Sequence, residues 1–267
     1  MRNVMKATMP VIFVSHGSPM AAIEPGAAGA VWVELAHRLP KPRAVLIASA
    51  HWETELPMLT GNPKPETIHD FGGFPDALYA IRYPAPGAPD VAAEAAAALK
   101  AAGITAGVEG CRGLDHGAWV PLMHMFPNAD VPVVELSVQP ARGAAHHIAL
   151  GRALAPLAQR GVLIVGSGHA THNLRDWMTQ MRRPGQLPYV AEFADWLAER
   201  LDAHDDAALI AWKEQGPEAL RAHPSDEHFL PLLVAYGAAG ERPRVERVHR
   251  SIEGGALAMD AYQFQPA

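Results

Sequence analysis

VIFVS at Val11–Ser15, closed by His16, is the stretch that decides the fold. A short continuous apolar run of this kind reads as a strand buried on both faces, because a strand with one wet face would alternate apolar with polar. The pattern returns at AVLIASA (Ala44–Ala50), closed by His51, at VPVVELSV (Val131–Val138) and at GVLIVGS (Gly161–Ser167). Helical spacing fills the intervals at Gly29–Leu39, Val91–Ala102 and Ala144–Gln159. Pro188–His204 carries Val190, Phe193, Ala194, Leu197 and Leu201 on one helical face, and a further helix is expected from Ser225 to Ala238. Strands alternating with helices predict an α/β fold, with a mostly parallel central sheet and helices on both faces. The 267 residues show no internal repeat and no linker, so 1–267 reads as a single catalytic domain.

Composition narrows the function. Apolar residues make up 49% and charged residues 19%, which suits a folded globular chain rather than a disordered one. A net charge of −6, with no clustered basic face, argues against nucleic acid as a partner. No apolar run is long enough to span a membrane. The N-terminal MRNVMKATMP lacks the apolar core of a secretory signal, and Cys111 is the only cysteine. A reduced, cytoplasmic setting is the expectation, in a monomer or small homo-oligomer. Residues 62–87, rich in Pro and Gly, carry Phe71, Phe74, Tyr79 and Tyr83 and are expected to wall a pocket.

The unusual number is 14 histidines. Ligands of open α/β sheets bind at the carboxyl ends of strands, and His16 and His51 follow two apolar runs directly. A buried histidine hydrogen bonded to a backbone carbonyl is the plainer role for one such residue alone. Two after matching runs favour a pair of metal ligands, since neutral imidazole binds Fe, Zn and Ni. HPSDEHFLPLL offers a third ligand from His223, Asp226, Glu227 and His228. It looks like a helix start with Ser225 as N-cap and acidic residues favouring the dipole. Glu227 would complete a two-His-one-carboxylate set and His228 a three-His set, and spacing alone leaves the two open. His116, after Asp115, reads either as a capped helix start or as an imidazole that orients substrate or dioxygen. His172, in the turn of GSGHATHNL, reads as a proton donor and acceptor, and His169 occupies the same turn.

SHGSPM, ASAHWE, TIHDFGGFP, YPAPG, GLDHGAWVPL, VGSGHATHNL, HPSDEHFLPLL and AYQF span His16 to Phe264. In these motifs the chain resembles the class III extradiol ring-cleavage dioxygenases, in particular the 4,5-DOPA dioxygenase branch. The resemblance implies one α/β domain holding a divalent metal, Fe(II) in active members and zinc in some isolated ones. By motif it implies His16, His51 and His228 as metal ligands, His172 as the catalytic histidine and His116 as a pocket histidine. The implied reaction opens a catechol, DOPA or a related diol, with dioxygen as the second small-molecule partner. Two other functions fit the same histidines. One is a zinc hydrolase acting through zinc-bound hydroxide, and the other is a non-catalytic metal-binding protein on this scaffold. For a substrate's ring or carboxylate, the sequence offers Arg82, Arg175 or the Phe71–Phe74 loop without choosing among them.

Overall fold

The computed structural model describes residues 8–266. Its ten strands are β1 Val11–Ser15, β2 Ala44–Glu53, β3 Met58–Thr60, β4 Gly107–Glu109, β5 Val133–Val138, β6 Val162–Gly168, β7 Arg244–His249, β8 Ile252–Glu253, β9 Leu257–Ala258 and β10 Ala261–Gln265. Eight form one sheet in the order β4-β3-β5-β2-β6-β1-β10-β7, and β8 pairs with β9 apart from it. The four apolar runs become β5, β2, β6 and β1, adjacent and parallel. β3 and β10 run antiparallel to the strands they join, so the sheet is mostly parallel. The short outer strands carry no continuous apolar run and leave no such pattern to read.

Side-chain alternation along β6 shows the two layers of helix. A Cβ on Gly166 would lie 2.1 Å from the Pro231 carbonyl oxygen, whereas Ser167 points the other way and donates to the Gly117 carbonyl. Helix Leu230–Ala238 therefore covers one face, together with Gly143–Leu154, and helix His116–Met125 covers the opposite face, packed on Gly26–Arg38.

Gly166 and Gly168 have a positional purpose. A Cβ on Gly168 would stand 2.2 Å from the His228 carbonyl oxygen, and that carbonyl accepts from the His169 N–H at 2.8 Å. Only glycines let the backbone of 228–231 lie this close to the middle strand of the sheet. They are what brings His228, late in the chain, beside the strand end that carries His169 and His172.

Three boundaries depart from the sequence reading. The last long helix begins at Leu230, not at Ser225. Ser225 bonds the Glu227 carboxylate instead of capping a helix, and Asp226 pairs with Lys213 at 2.7 Å, so residues 225–229 form turns that lead into the helix. The helix expected over Ala144–Gln159 is α-helical to Leu154 and becomes 3-10 over Ala155–Arg160, where Pro156 lacks the N–H an α-helix needs. His51 lies within β2 rather than in a turn after it. The pairing of β2 with β5 shifts register between Ala48 and Glu53, and this irregularity lets His51 leave the ladder and face the strand ends.

Candidate metal centre

His16 follows β1, His51 sits in the register shift of β2, and His169 and His172 follow β6, the strand between them. The parallel register sets Ser15 opposite Gly168 and Ser49 opposite Ser167, so these histidines emerge at one level. His228 joins them through the glycine approach described above. One ligand atom from each of His16, His51 and His228 lies within 4.8 Å of the other two, and the Nε2 atoms of His16 and His51 are 3.1 Å apart.

The opposite nitrogen of each ring has a partner. Ser167 spends its hydroxyl proton on the Gly117 carbonyl, so its oxygen accepts from His16 Nδ1–H at 3.0 Å. His228 Nδ1 donates to Glu227 Oε1 at 2.9 Å. His51 Nδ1 stands 3.5 Å from Asp70 Oδ2. These contacts leave the Nε2 lone pairs of the three rings directed inward, the tautomer a metal site requires. Glu227 is thus engaged by Ser225 and His228, and its carboxylate clusters with His172 and His228 rather than with His16 and His51.

The other candidates separate. His116 begins the helix that Asp115 caps, with the Asp115 carboxylate accepting from Ala118 N–H at 3.3 Å. Its Nδ1 and its backbone N–H both donate to Asp70, each at 2.9 Å. Its ring lies 3.9 Å from that of His51, centroid to centroid. His172 stacks on His228 with centroids 3.4 Å apart and planes 12° from parallel. His169 Nε2 accepts from Gly17 N–H at 3.1 Å, which occupies the lone pair a metal would need. His223 turns to the Ala170 carbonyl at 2.9 Å, the ordinary role of a buried histidine.

Asp70 was not singled out in the sequence, although one of its oxygens serves both His116 and His51. Its only signal was its place inside TIHDFGGFP. Burial opposes its ionisation, but hydrogen bonds and charge from His116 outweigh that and hold it down to about 2. A buried chain behind the site was equally hidden. Arg112 binds Asp115 at 2.9 Å and Glu135 at 3.3 Å, Ser49 donates to Asp115 at 2.6 Å, and the Ser49 hydroxyl accepts from His51 N–H at 3.2 Å. This chain fixes the backbone of His51 and the start of the His116 helix as one unit.

Burial, then repulsion among neighbouring imidazoles, lowers the pKa of His16 and His228 well below the usual histidine value. The same causes bring His51 to about 4 and His172 to about 2. His172 is thus a neutral base in the cleft. The histidines, with Phe71, Phe74, Trp177 and Leu257, line a cavity of about 270 Å³. Of the aromatic stretch, Phe71 and Phe74 reach the cavity, while Tyr83 is buried with its hydroxyl on the Phe126 carbonyl.

These depressed values set an acid limit on stability. Between pH 6.5 and about 4 the unfolded chain protonates histidines such as His51 and His223 that the folded chain keeps neutral. Stability therefore falls as pH drops through that window, by up to about 1.4 kcal/mol per pH unit for each such histidine. Thermal unfolding of the chelator-treated protein checks this. The midpoint should drop by several degrees from pH 7 to pH 5, and a flat profile would contradict the burial of neutral imidazoles.

Comparison with known proteins gives the family. Residues 10–257 match the family described as the catalytic LigB subunit of aromatic ring-opening dioxygenase. The chain is 43% identical over 256 residues to a 4,5-DOPA dioxygenase extradiol of Beta vulgaris, which covers 94% of this chain and 95% of that one. It is 36% identical over 267 residues to the 4,5-DOPA dioxygenase extradiol of Escherichia coli (strain K12), covering 98% and 97%. The crystal structure of an uncharacterised protein from Escherichia coli K12 has the same fold, with a TM-score of 0.80 at 31% identity over 96% of this chain and 99% of that one. With this identity over nearly its whole length, the chain belongs to the LigB family of extradiol aromatic ring-opening dioxygenases.

Proposed function

We propose that the protein is a non-haem Fe(II) dioxygenase that opens a catechol ring beside the diol, with His16, His51 and His228 as the metal ligands. The observation that carries the reading is the convergence of three imidazoles whose Nδ1 atoms are engaged by Ser167, Asp70 and Glu227. Three neutral nitrogen donors from the protein fit a divalent iron and leave positions for other ligands. When bound, the iron supplies adjacent sites for both substrates and a path for electrons between them, so that both oxygen atoms end in the product.

The protein's own groups do the rest. Phe71 and Phe74 flank the cavity and hold an aromatic ring while excluding water. His172, neutral in the cleft, accepts a catechol hydroxyl proton and returns it later in the cycle. His116, with Nδ1 committed to Asp70, keeps Nε2 for a hydrogen bond to substrate or oxygen. Asp70 thereby ties the orientation of a ligand to that of a pocket histidine.

Metal content of purified, folded variants checks the ligand set. His16→Ala and His51→Ala should each lose tight iron binding. His228→Ala should lose more than Glu227→Ala, for which about a 10- to 100-fold drop in affinity is expected, because Glu227 orients the ring rather than binding the ion. Wild-type occupancy in a histidine variant would remove that residue from the set.

His172→Ala should keep its iron and lose about 10²- to 10⁴-fold in kcat, and His172→Gln should not restore it, since an amide cannot carry the proton. Iron loss in parallel with activity would make His172 a ligand instead. Oxygen uptake by protein loaded with Fe(II) under anaerobic conditions tests the reaction itself. One oxygen consumed per catechol opened is expected, whereas turnover without oxygen on the zinc-loaded protein would identify a hydrolase.

A further inference from the structure

Of the carboxylates near the cavity, two are already engaged. Asp70 serves His116 and His51, and Glu227 holds Ser225 and His228. Glu253, on the β8–β9 hairpin, is different. It pairs across that hairpin with Leu257, and Leu257 lines the cavity. Gly17 and Trp177 also line the cavity, and both lie against the hairpin. A Cβ on Gly17 would stand 4.0 Å from Glu253 Oε2, and one on Gly254 would meet Trp177 Nε1 at 2.3 Å. Ser18 lines both this cavity and a neighbouring cleft of about 290 Å³, whose wall includes Glu253 and Glu24.

The hairpin is tied down on both sides of its turn. The Gly255 carbonyl accepts from Leu187 N–H at 2.9 Å, and Ala258 N–H donates to Thr171 Oγ1 at 2.8 Å, beside His172. Glu253 is therefore carried on a fixed support, yet among the described residues its carboxylate has no hydrogen bond and no ion pair. The residue as a whole is exposed, but burial still raises the pKa of its carboxyl, with no neighbouring charge to offset it. A cation brought beside such a group favours its charged form and is held by it. Gly17, at φ +71°, has no side chain to stand between this carboxylate and the cavity.

We infer that Glu253 determines specificity by receiving a side-chain ammonium of the substrate, so that the preferred catechols carry an alkylammonium group. The inference rests on the ring-cleaving reading and names a substrate feature within it. The histidines take the diol, and Phe71 and Phe74 take the ring. That leaves the side of the cavity formed by Gly17, Trp177 and Leu257, against the hairpin, for the substituent. An uncharged substituent of the same size meets the same apolar groups there but makes no ion pair with Glu253.

Two matched pairs of catechols isolate the ammonium. Dopamine and 4-propylcatechol exchange it for a methyl group, while DOPA and 3-(3,4-dihydroxyphenyl)propanoate differ in it with the carboxylate kept. Dissociation constants are measured by calorimetry near neutral pH on the zinc-loaded protein, where no turnover intervenes, and kcat/KM by oxygen uptake on the Fe(II)-loaded enzyme. The ammonium member of each pair should bind about fivefold more tightly at low ionic strength, and added salt should shrink that advantage. In Glu253→Gln the ratio should fall to about one in both pairs, and in Glu253→Lys it should invert. Zinc content and the thermal midpoint show that each variant is folded, and the salt dependence of the wild-type protein needs neither variant. Equal affinities within the pairs, or an ammonium advantage that survives Glu253→Gln, would overturn the inference. If the preference holds and follows Glu253 but no catechol is opened, the ring-cleaving reading fails while the contact stands. If rings open without the preference, the inference alone fails, and if none of the four compounds binds, both fall.

Discussion

Imidazoles can be packed ring against ring only while they carry no charge, and the whole active end of this protein is built around that constraint. His16, His51, His169, His172 and His228 share one cleft, with neighbouring centroids as close as 3.4 to 5.5 Å. Protonating any one would set a buried cation against its neighbours. Neutral rings have a different requirement, a partner for each nitrogen. Ser167, Asp70 and Glu227 meet it on the outer side of three rings, which leaves the inner lone pairs of those rings facing one another. A divalent cation is the group that satisfies such an arrangement, and its absence from unfolded chains couples metal binding to folding.

The scaffold serves this cluster at two depths. Near the surface of the sheet, Gly166 and Gly168 on β6 admit the backbone of 228–231 and so place the ring that comes from farthest along the chain. Deeper, Arg112, Asp115, Glu135 and Ser49 form a continuous buried chain between β5, β2 and the start of the His116 helix. Burial, followed by the Asp115 charge, pushes the Glu135 carboxyl well above its usual range, and Arg112 opposes both. Loss of any member would strand another in the interior, which makes the network rigid and local geometry around His51 hard to change.

Much of this was legible in the sequence, for identifiable reasons. The four central strands were readable because strands covered on both faces are continuous apolar runs, and each of the three that approach the site ends in or near a histidine. The edge strands were not, since β3 and β4 are three residues long and β7, RVERVH, spaces its two valines three apart rather than two. Residues 225–229 carried every mark of a capped helix, yet the pull of Lys213 on Asp226 and of His228 on Glu227 are contacts across space that no local pattern records. The same is true of the cluster's supporting groups. Asp70 reaches His116 across 46 positions and Ser167 reaches His16 across 151, and neither residue type is distinctive on its own. Between Glu227 and His228 the spacing was even-handed, and what distinguishes them in space is that Glu227 already holds its neighbour's ring.

In the ligand set proposed above, three imidazoles, held in one tautomer by partners on their outer nitrogens, form the whole protein contribution to the metal. A crystal structure of the protein loaded with Fe(II) without oxygen tests it most directly. Nε2 of His16, His51 and His228 is expected on the ion, with Ser167, Asp70 and Glu227 still on the opposite nitrogens. An ion bound through a Glu227 oxygen, or through a nitrogen of His169 or His172, would contradict it.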